Sequence, residues 1–189
     1  MGGLRPQRER QRVQQKLADL SSVKDRGAGY HGRGGERMGL YRLEFYADEN
    51  GGEPVRRWLR EELSRTQRLV VGTAMREVLE EEGINVCGTE FGKQLGDGLI
   101  EFRVRGQLSE YVDGAASDAT EEKILIRVFC HAHGDRLVLL LAGYDKLAKP
   151  SKVHQNDEIA VARKRLTSWK LRQAKAAKKG RKAKPRGSR

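Results

Sequence analysis

The chain has 189 residues, 37% of them hydrophobic and 34% charged, enough for one modest core and not for a large multidomain enzyme. No run approaches the length of a membrane span, and the N-terminus lacks the apolar centre of a signal peptide. The two cysteines, Cys87 and Cys130, show no CxxC or Cys/His zinc spacing, so the expectation is a reduced, cytoplasmic protein without metal or cofactor.

The net charge of +12 is unevenly placed. Residues 1–40 carry 9 basic and 4 acidic side chains, residues 41–169 carry 19 and 22, and residues 170–189 carry 10 and none. The middle is slightly acidic, so the high isoelectric point belongs to the ends. Three segments follow: a flexible appendage over 1–40, a folded domain over 41–169, and a disordered basic tail over 170–189. Within the appendage, 5–20 allows a polar helix with a thin apolar stripe, and the glycine-rich 27–39 has little to bury. Met38 directly precedes the first convincing strand, and the sequence leaves open whether translation starts at Met1 or Met38.

Tyr41, Leu43 and Phe45 alternate with Arg42 and Glu44, a strand pattern. After a turn at Asn50-Gly51-Gly52, a helix opens at Glu53-Pro54, where proline in the first turn costs no hydrogen bond. Its stripe is Val55, Trp58, Leu59 and Leu63. A break at Ser64–Thr66 leads to a second helix over 67–82 with Val71, Met75, Val78 and Leu79 inward and Gly83 as its stop. Glu77, Glu80, Glu81 and Glu82 read as a solvated face.

Three strands come next. Ile100, Phe102 and Val104 alternate with Glu101, Arg103 and Arg105; Ile124, Ile126, Val128 and Cys130 alternate with Lys123, Leu125, Arg127 and Phe129. Period-2 alternation sends each set to one face, so Arg103, Arg105 and Arg127 are expected on one side of a half-solvated antiparallel sheet. Residues 107–121, rich in Gly, Ser, Asp and Glu, are expected to form a long hairpin loop. The third strand, 137–142, is apolar throughout and suits burial on both faces. Gly143 is expected to end it and release Tyr144, Lys146 and Lys149 at the rim. His131 and His133 lack a third ligand nearby and read as turn residues. A last helix over 157–171 places Ile159, Ala162, Leu166 and Trp169 on one side.

The element order is therefore β-α-α-β-β-β-α, an α+β domain. With the phrases LGDGLIEFRVR, ILIRVF, LLLAGYDKLAKP and NDEIAVARKRL in that order, the chain resembles the RelE/HigB toxin superfamily, and within it the phage-derived Gp49-like (HigB-type) branch. The matching positions are Gly98, Leu99, Glu101 and Arg103; Arg127; Gly143, Tyr144, Lys146 and Pro150; and Glu158, Ile159 and Ala162. Leu147 stands where the branch has a second lysine, and the loop at 107–121 replaces a compact link. The resemblance implies a small antiparallel sheet with an N-terminal helix hairpin and a C-terminal helix (RelE/ParE-like). It also implies a type II toxin that cleaves mRNA on the ribosome, held in check by a cognate antitoxin of helix-turn-helix type.

Metal-independent RNA cleavage requires activation of a 2′-hydroxyl and stabilisation of extra charge on a five-coordinate phosphorus. Guanidinium groups on a rigid strand suit the second task. Arg103 and Arg127 are the candidates for it, with Lys146 beside them, and Lys93, Arg105, Lys149 and Lys152 as RNA-backbone contacts. For proton transfer the candidates are His154 and Tyr144. The competing account of each arginine is a surface charge paired with Glu101 or a loop carboxylate; that of His154 is a solvated loop residue. Two other functions stay open: a same-fold poison that binds without cutting, as ParE-type gyrase poisons do, and a plain RNA-binding module that relies on its basic tail.

Overall fold

The computed structural model describes residues 40–107, 123–134 and 136–182; the appendage, the 107–121 loop beyond its first residue and the last seven residues of the tail lie outside these. Strand β1 (Arg42–Phe45) is followed by helices α1 (Pro54–Glu61) and α2 (Arg65–Ala74). Helix α2 continues through a π turn at Met75–Leu79 and a last turn at Glu80–Glu82 into a 3-10 segment, Gly83–Gly88. Then come β2 (Gly92–Gln94), β3 (Ile100–Gln107), β4 (Lys123–His133), β5 (Leu137–Asp145) and α3 (Lys152–Lys182). The fold is α+β.

The five strands form one sheet in the order β1-β5-β4-β3-β2. The expected wholly antiparallel sheet of four strands is corrected on two counts. Strand β1 pairs in parallel with β5, matching Arg42 to Leu137 and Phe45 to Leu140, so the sheet is mixed. The connection through α1 and α2 and three antiparallel strands brings the chain back beside its start. The fifth strand, β2, is only three residues long and pairs Lys93 with Glu101, too short for periodicity to reveal.

The two faces are covered differently. Against one pack α1 and α2, through Val55, Trp58, Val71, Val78 and Leu79 on Phe102, Val104, Ile126 and Val128. Ser64 caps α2: its hydroxyl accepts from Gln67 N–H at 3.1 Å while the Gln67 side chain accepts from Ser64 N–H at 3.0 Å. Gly83 ends the helix at φ +51°, in the left-handed region, with a Cβ there only 2.4 Å from the Tyr41 ring. The four glutamates before it are half-buried rather than fully solvated, and burial raises the Glu80 carboxyl above its ordinary value.

On the other face α3 packs Ala162, Leu166 and Trp169 over Leu99, Phe129, Leu139, Leu141 and Tyr144. It begins at Lys152, not near 157, because Ser151 caps it, accepting from Val153 N–H at 3.1 Å. At its other end the helix runs on through Lys182, so residues 170–182 are helical where a disordered tail was expected. His131 is not a turn residue: β4 extends to His133, and the buried His131 ring holds the Gly98 carbonyl through Nδ1 at 2.8 Å, beside Trp169. Cys87 and Cys130 are free thiols, and burial pushes the Cys130 thiol up. Among the described residues no helix is long and apolar enough to cross a membrane.

Strand β5 does not stop at Gly143. It carries an extra residue at Leu141, where Phe129 opposes Ala142 and Cys130 opposes Leu140. Val138 and Leu140 face the α1/α2 side, whereas Leu141, Ala142 and Tyr144 all join the α3 side. The bulge therefore reverses the alternation and turns Tyr144 towards α3. Gly143 continues the strand beneath Trp58, whose ring would lie 2.5 Å from a Cβ there.

Gly143→Ala is thus expected to lower stability by about 1–3 kcal/mol through overpacking, measured as a reduced urea midpoint; an unchanged midpoint would mean that Trp58 yields freely. A second expectation concerns pH. Burial, then Lys170 and His133, hold the His131 imidazole below its ordinary 6.5, against the opposing Gly98 carbonyl. The unfolded chain therefore takes up a proton that the folded chain refuses, so stability falls as pH drops below 6.5 towards the lowered folded value. His131→Gln is expected to flatten that acid-side loss in melting temperature, and an equal loss in both proteins would refute the assignment.

Candidate functional site

The α3-facing side of β3, β4 and β5 carries a transverse row. Arg103 pairs in register with Arg127, and Arg127 with Tyr144, so the three residues are direct cross-strand neighbours. Two like charges facing each other across a ladder repel. The charge that permits this is Glu101, two residues before Arg103 on the same strand face and 1% exposed. Its carboxylate accepts from Arg103 Nε at 2.9 Å, from an Arg127 Nη, and from Gln155 Nε2 at 3.0 Å. Gln155 sits in the first turn of α3, and its own Oε1 accepts from Lys146 Nζ at 3.1 Å. The Asp145 carboxylate fixes the turn that carries Lys146, accepting from Leu147 N–H at 2.8 Å and from the Gln67 side chain at 3.1 Å.

The first turns of α3 add His154 and Glu158. The His154 ring stands edge-on to Tyr144, centroids 5.1 Å apart, and its Nε2 lies 3.7 Å from Glu158 Oε1, close for an ion pair but too long for a hydrogen bond. Arg127 Nε, the Tyr144 hydroxyl and His154 Nε2 are buried polar atoms with no hydrogen-bond partner. All three belong to this one cluster, which concentrates unspent donor and acceptor capacity at a single place. Burial raises the Tyr144 hydroxyl above its ordinary value, helped by Glu101 and Glu158 and opposed by Arg127, so it stays protonated at neutral pH. Burial also raises the Glu158 carboxyl, against the pull of His154, Arg165 and Lys149.

Arg103, Arg127, Tyr144, Lys146 and His154 thus stand in one cluster. The flanking basic residues are spread more widely. Lys93 is exposed on β2, opposite Glu101 in register. Arg105 is paired with Glu90 at 3.2 Å, and Lys149 with Glu62 at 3.3 Å, both near the surface. Lys152 is exposed at the start of α3. Tyr144 and Lys146 are not released at a loose rim: Tyr144 is inside β5 and buried. The competing account of the arginines, pairing with Glu101, is the geometry observed.

Sequence reasoning gave Glu101 only as a possible surface partner and missed Gln155 altogether. The readable signal was Ser151 after Pro150, an N-cap that starts α3 early enough to carry Gln155 to the sheet. Among the described residues no group of three or more His, Cys, Asp or Glu is arranged to hold a metal ion. Chemically the cluster can bind an anion through guanidinium and ammonium donors, add a hydrogen bond from Tyr144, and move a proton through an imidazole backed by a carboxylate.

Glu101→Gln is expected to destabilise the fold by about 2–3 kcal/mol, because it leaves two partly buried guanidiniums facing each other without their anion. Urea unfolding measures it, and adding Arg127→Met should recover part of the loss; a single-variant loss below about 0.5 kcal/mol, the range of ordinary surface changes, would contradict the anchoring role. Comparisons of the chain with protein-family models, with curated proteins and with solved structures found no match, so the site is read from its geometry and from the sequence resemblance.

Proposed function

We propose that the protein is the toxin of a type II toxin-antitoxin pair, a metal-independent endoribonuclease that cuts mRNA on the ribosome. The observation that carries this reading is the Arg103–Arg127–Tyr144 row over buried Glu101, with Lys146 and His154 beside it. The α+β build, a small mixed five-stranded sheet with helices on both faces, is compatible with that reading. On this reading a 2′-oxygen attacks the adjacent phosphorus and the 5′-oxygen leaves, giving a 2′,3′-cyclic phosphate and a 5′-hydroxyl. Arg103, Arg127 and Lys146 hold the non-bridging oxygens as charge accumulates on them, and Tyr144 donates a further hydrogen bond. His154 takes the proton from the attacking 2′-hydroxyl and returns it to the leaving 5′-oxygen, with Glu158 beside its ring. Lys93, Arg105, Lys149 and Lys152 steer the flanking backbone. A helix-turn-helix antitoxin encoded alongside completes the pair.

One observation favours the second reading, a same-fold poison that binds without cutting: Glu101 already neutralises part of the charge of both arginines. Controlled expression of the full chain separates the two. The expected outcome is growth arrest with new mRNA 5′ ends by primer extension, and cleavage reduced about 100-fold or more in Arg127→Ala, the usual effect of losing one transition-state donor. Arrest without new ends would transfer the assignment to the binding poison, and full cleavage by a folded Arg127→Ala would remove the site from the chemistry.

A further inference from the structure

We infer that the C-terminal part of α3 is a second, separate binding site, which takes the phosphate backbone of double-stranded RNA. Helix α3 is docked as far as Arg172, whose guanidinium donates to the Ala47 carbonyl at 2.7 Å and to the Ser168 hydroxyl at 3.0 Å. From Gln173 to Lys179 every residue is exposed. The helix there stands clear of the sheet, without the packing that normally sustains a helix in water. After Arg172 the sequence holds eight basic residues and no acidic one. Lys175, Lys178 and Lys179, at spacings of three and four, share one helix face, where like charges oppose helix formation. A polyanion removes that opposition, so this segment gains order when phosphates supply the missing charge.

The composition of the segment selects among polyanions. Its apolar side chains between Gln173 and Lys182 are Ala174, Ala176 and Ala177 alone. A helix lying in a membrane interface needs larger apolar residues than these. A protein partner would be gripped by aromatic or aliphatic anchors, and there are none. Single-stranded bases would need an aromatic ring to stack on, also missing. What is left is a narrow cationic rod with small side chains between its charges, suited to following a backbone without reading sequence. At 1.5 Å per residue, Lys175 lies about 30 Å along α3 from His154, so this contact is remote from the strand held at the Arg103–Arg127 row. The choice of RNA rests on the ribonuclease reading; the phosphate contact itself does not.

The test uses the full chain and the variant Lys175→Gln/Lys178→Gln/Lys179→Gln, whose changes are exposed and leave the core intact. Affinity for a 20-base-pair RNA duplex is measured against salt concentration. Loss of three phosphate contacts should reduce the slope of log K against log salt by about 2–3 and weaken binding at least tenfold at low salt. Far-UV circular dichroism should show helix content rising when the duplex is added to the unmodified chain. Equal slopes for the two proteins would overturn the inference, as would equally tight binding to vesicles of 80% phosphatidylcholine and 20% phosphatidylserine. The triple variant is expected to keep mRNA cleavage, whereas cleavage retained by a folded Arg127→Ala bears only on the ribonuclease reading, so failure of either reading shows separately.

Discussion

A single buried carboxylate decides whether this sheet face can exist. Arg103 and Arg127 are placed opposite each other by the β3–β4 register, and Coulomb repulsion alone would drive one of them out of the row. Glu101 lies between them, nearly inaccessible to water, and takes donors from both. Removing three charges from water is costly, and that cost is offset only when each carboxylate oxygen is fully hydrogen-bonded. Gln155 completes the set, and through its own carbonyl oxygen fixes Lys146. The start of α3 and the turn after β5 are consequently tied to the beginning of β3 by one hydrogen-bonded path.

The rest of the fold makes that path possible. The helix pair α1/α2 fills the opposite face with apolar side chains, which leaves the α3 side of the three strands to carry the row. The bulge at Leu141 is the local device that matters most. With uninterrupted alternation from Val138 and Leu140, Tyr144 would have faced α1; the extra residue sends it to the α3 side and leaves Gly143 under Trp58. The ring beside His154 thus depends on one inserted residue in a run, Leu137 to Ala142, that is uniformly apolar.

That uniformity explains what could be read in advance. The faces of β3 were legible because charged and apolar residues alternate strictly, those of β4 because Lys123 and Arg127 interrupt the apolar set of Ile124, Ile126 and Val128, and the helix pair because Val55, Trp58, Val71, Val78 and Leu79 recur at helical spacing. In β5 neither the bulge nor the end of the strand leaves a mark, since glycine serves equally as a stop or as space for a neighbouring ring. The parallel pairing of β1 is a tertiary fact with no local signal. The reach of α3 was hidden at the front by a cap that ordinary rules recognise and at the back by composition, since lysine and alanine fit a helix and a disordered tail alike. Most of the cluster was legible as residues. Its anchor was not, because a glutamate alternating with arginines on a strand reads as an exposed ion pair unless the burial of that face is known.

The anchor also bears on whether an anion can still be bound once both arginines are paired. A guanidinium offers five N–H donors in a fixed fork, and a carboxylate engages only part of it. Arg127 gives one Nη to Glu101, and its Nε has no partner. Arg103 turns its Nε and one Nη towards the same carboxylate, which leaves the other Nη side of the fork. The Arg103 side chain is 24% exposed against 13% for Arg127. A phosphate oxygen would therefore approach from the Arg103 side and meet Arg127 and the Tyr144 hydroxyl deeper in the row. Glu101 weakens the field at the mouth of the site, but it also holds the forks rigid and aimed, so an incoming phosphate does not have to order them. On the proposed ribonuclease reading, where charge appears only during reaction, that rigidity is worth more than resting field strength.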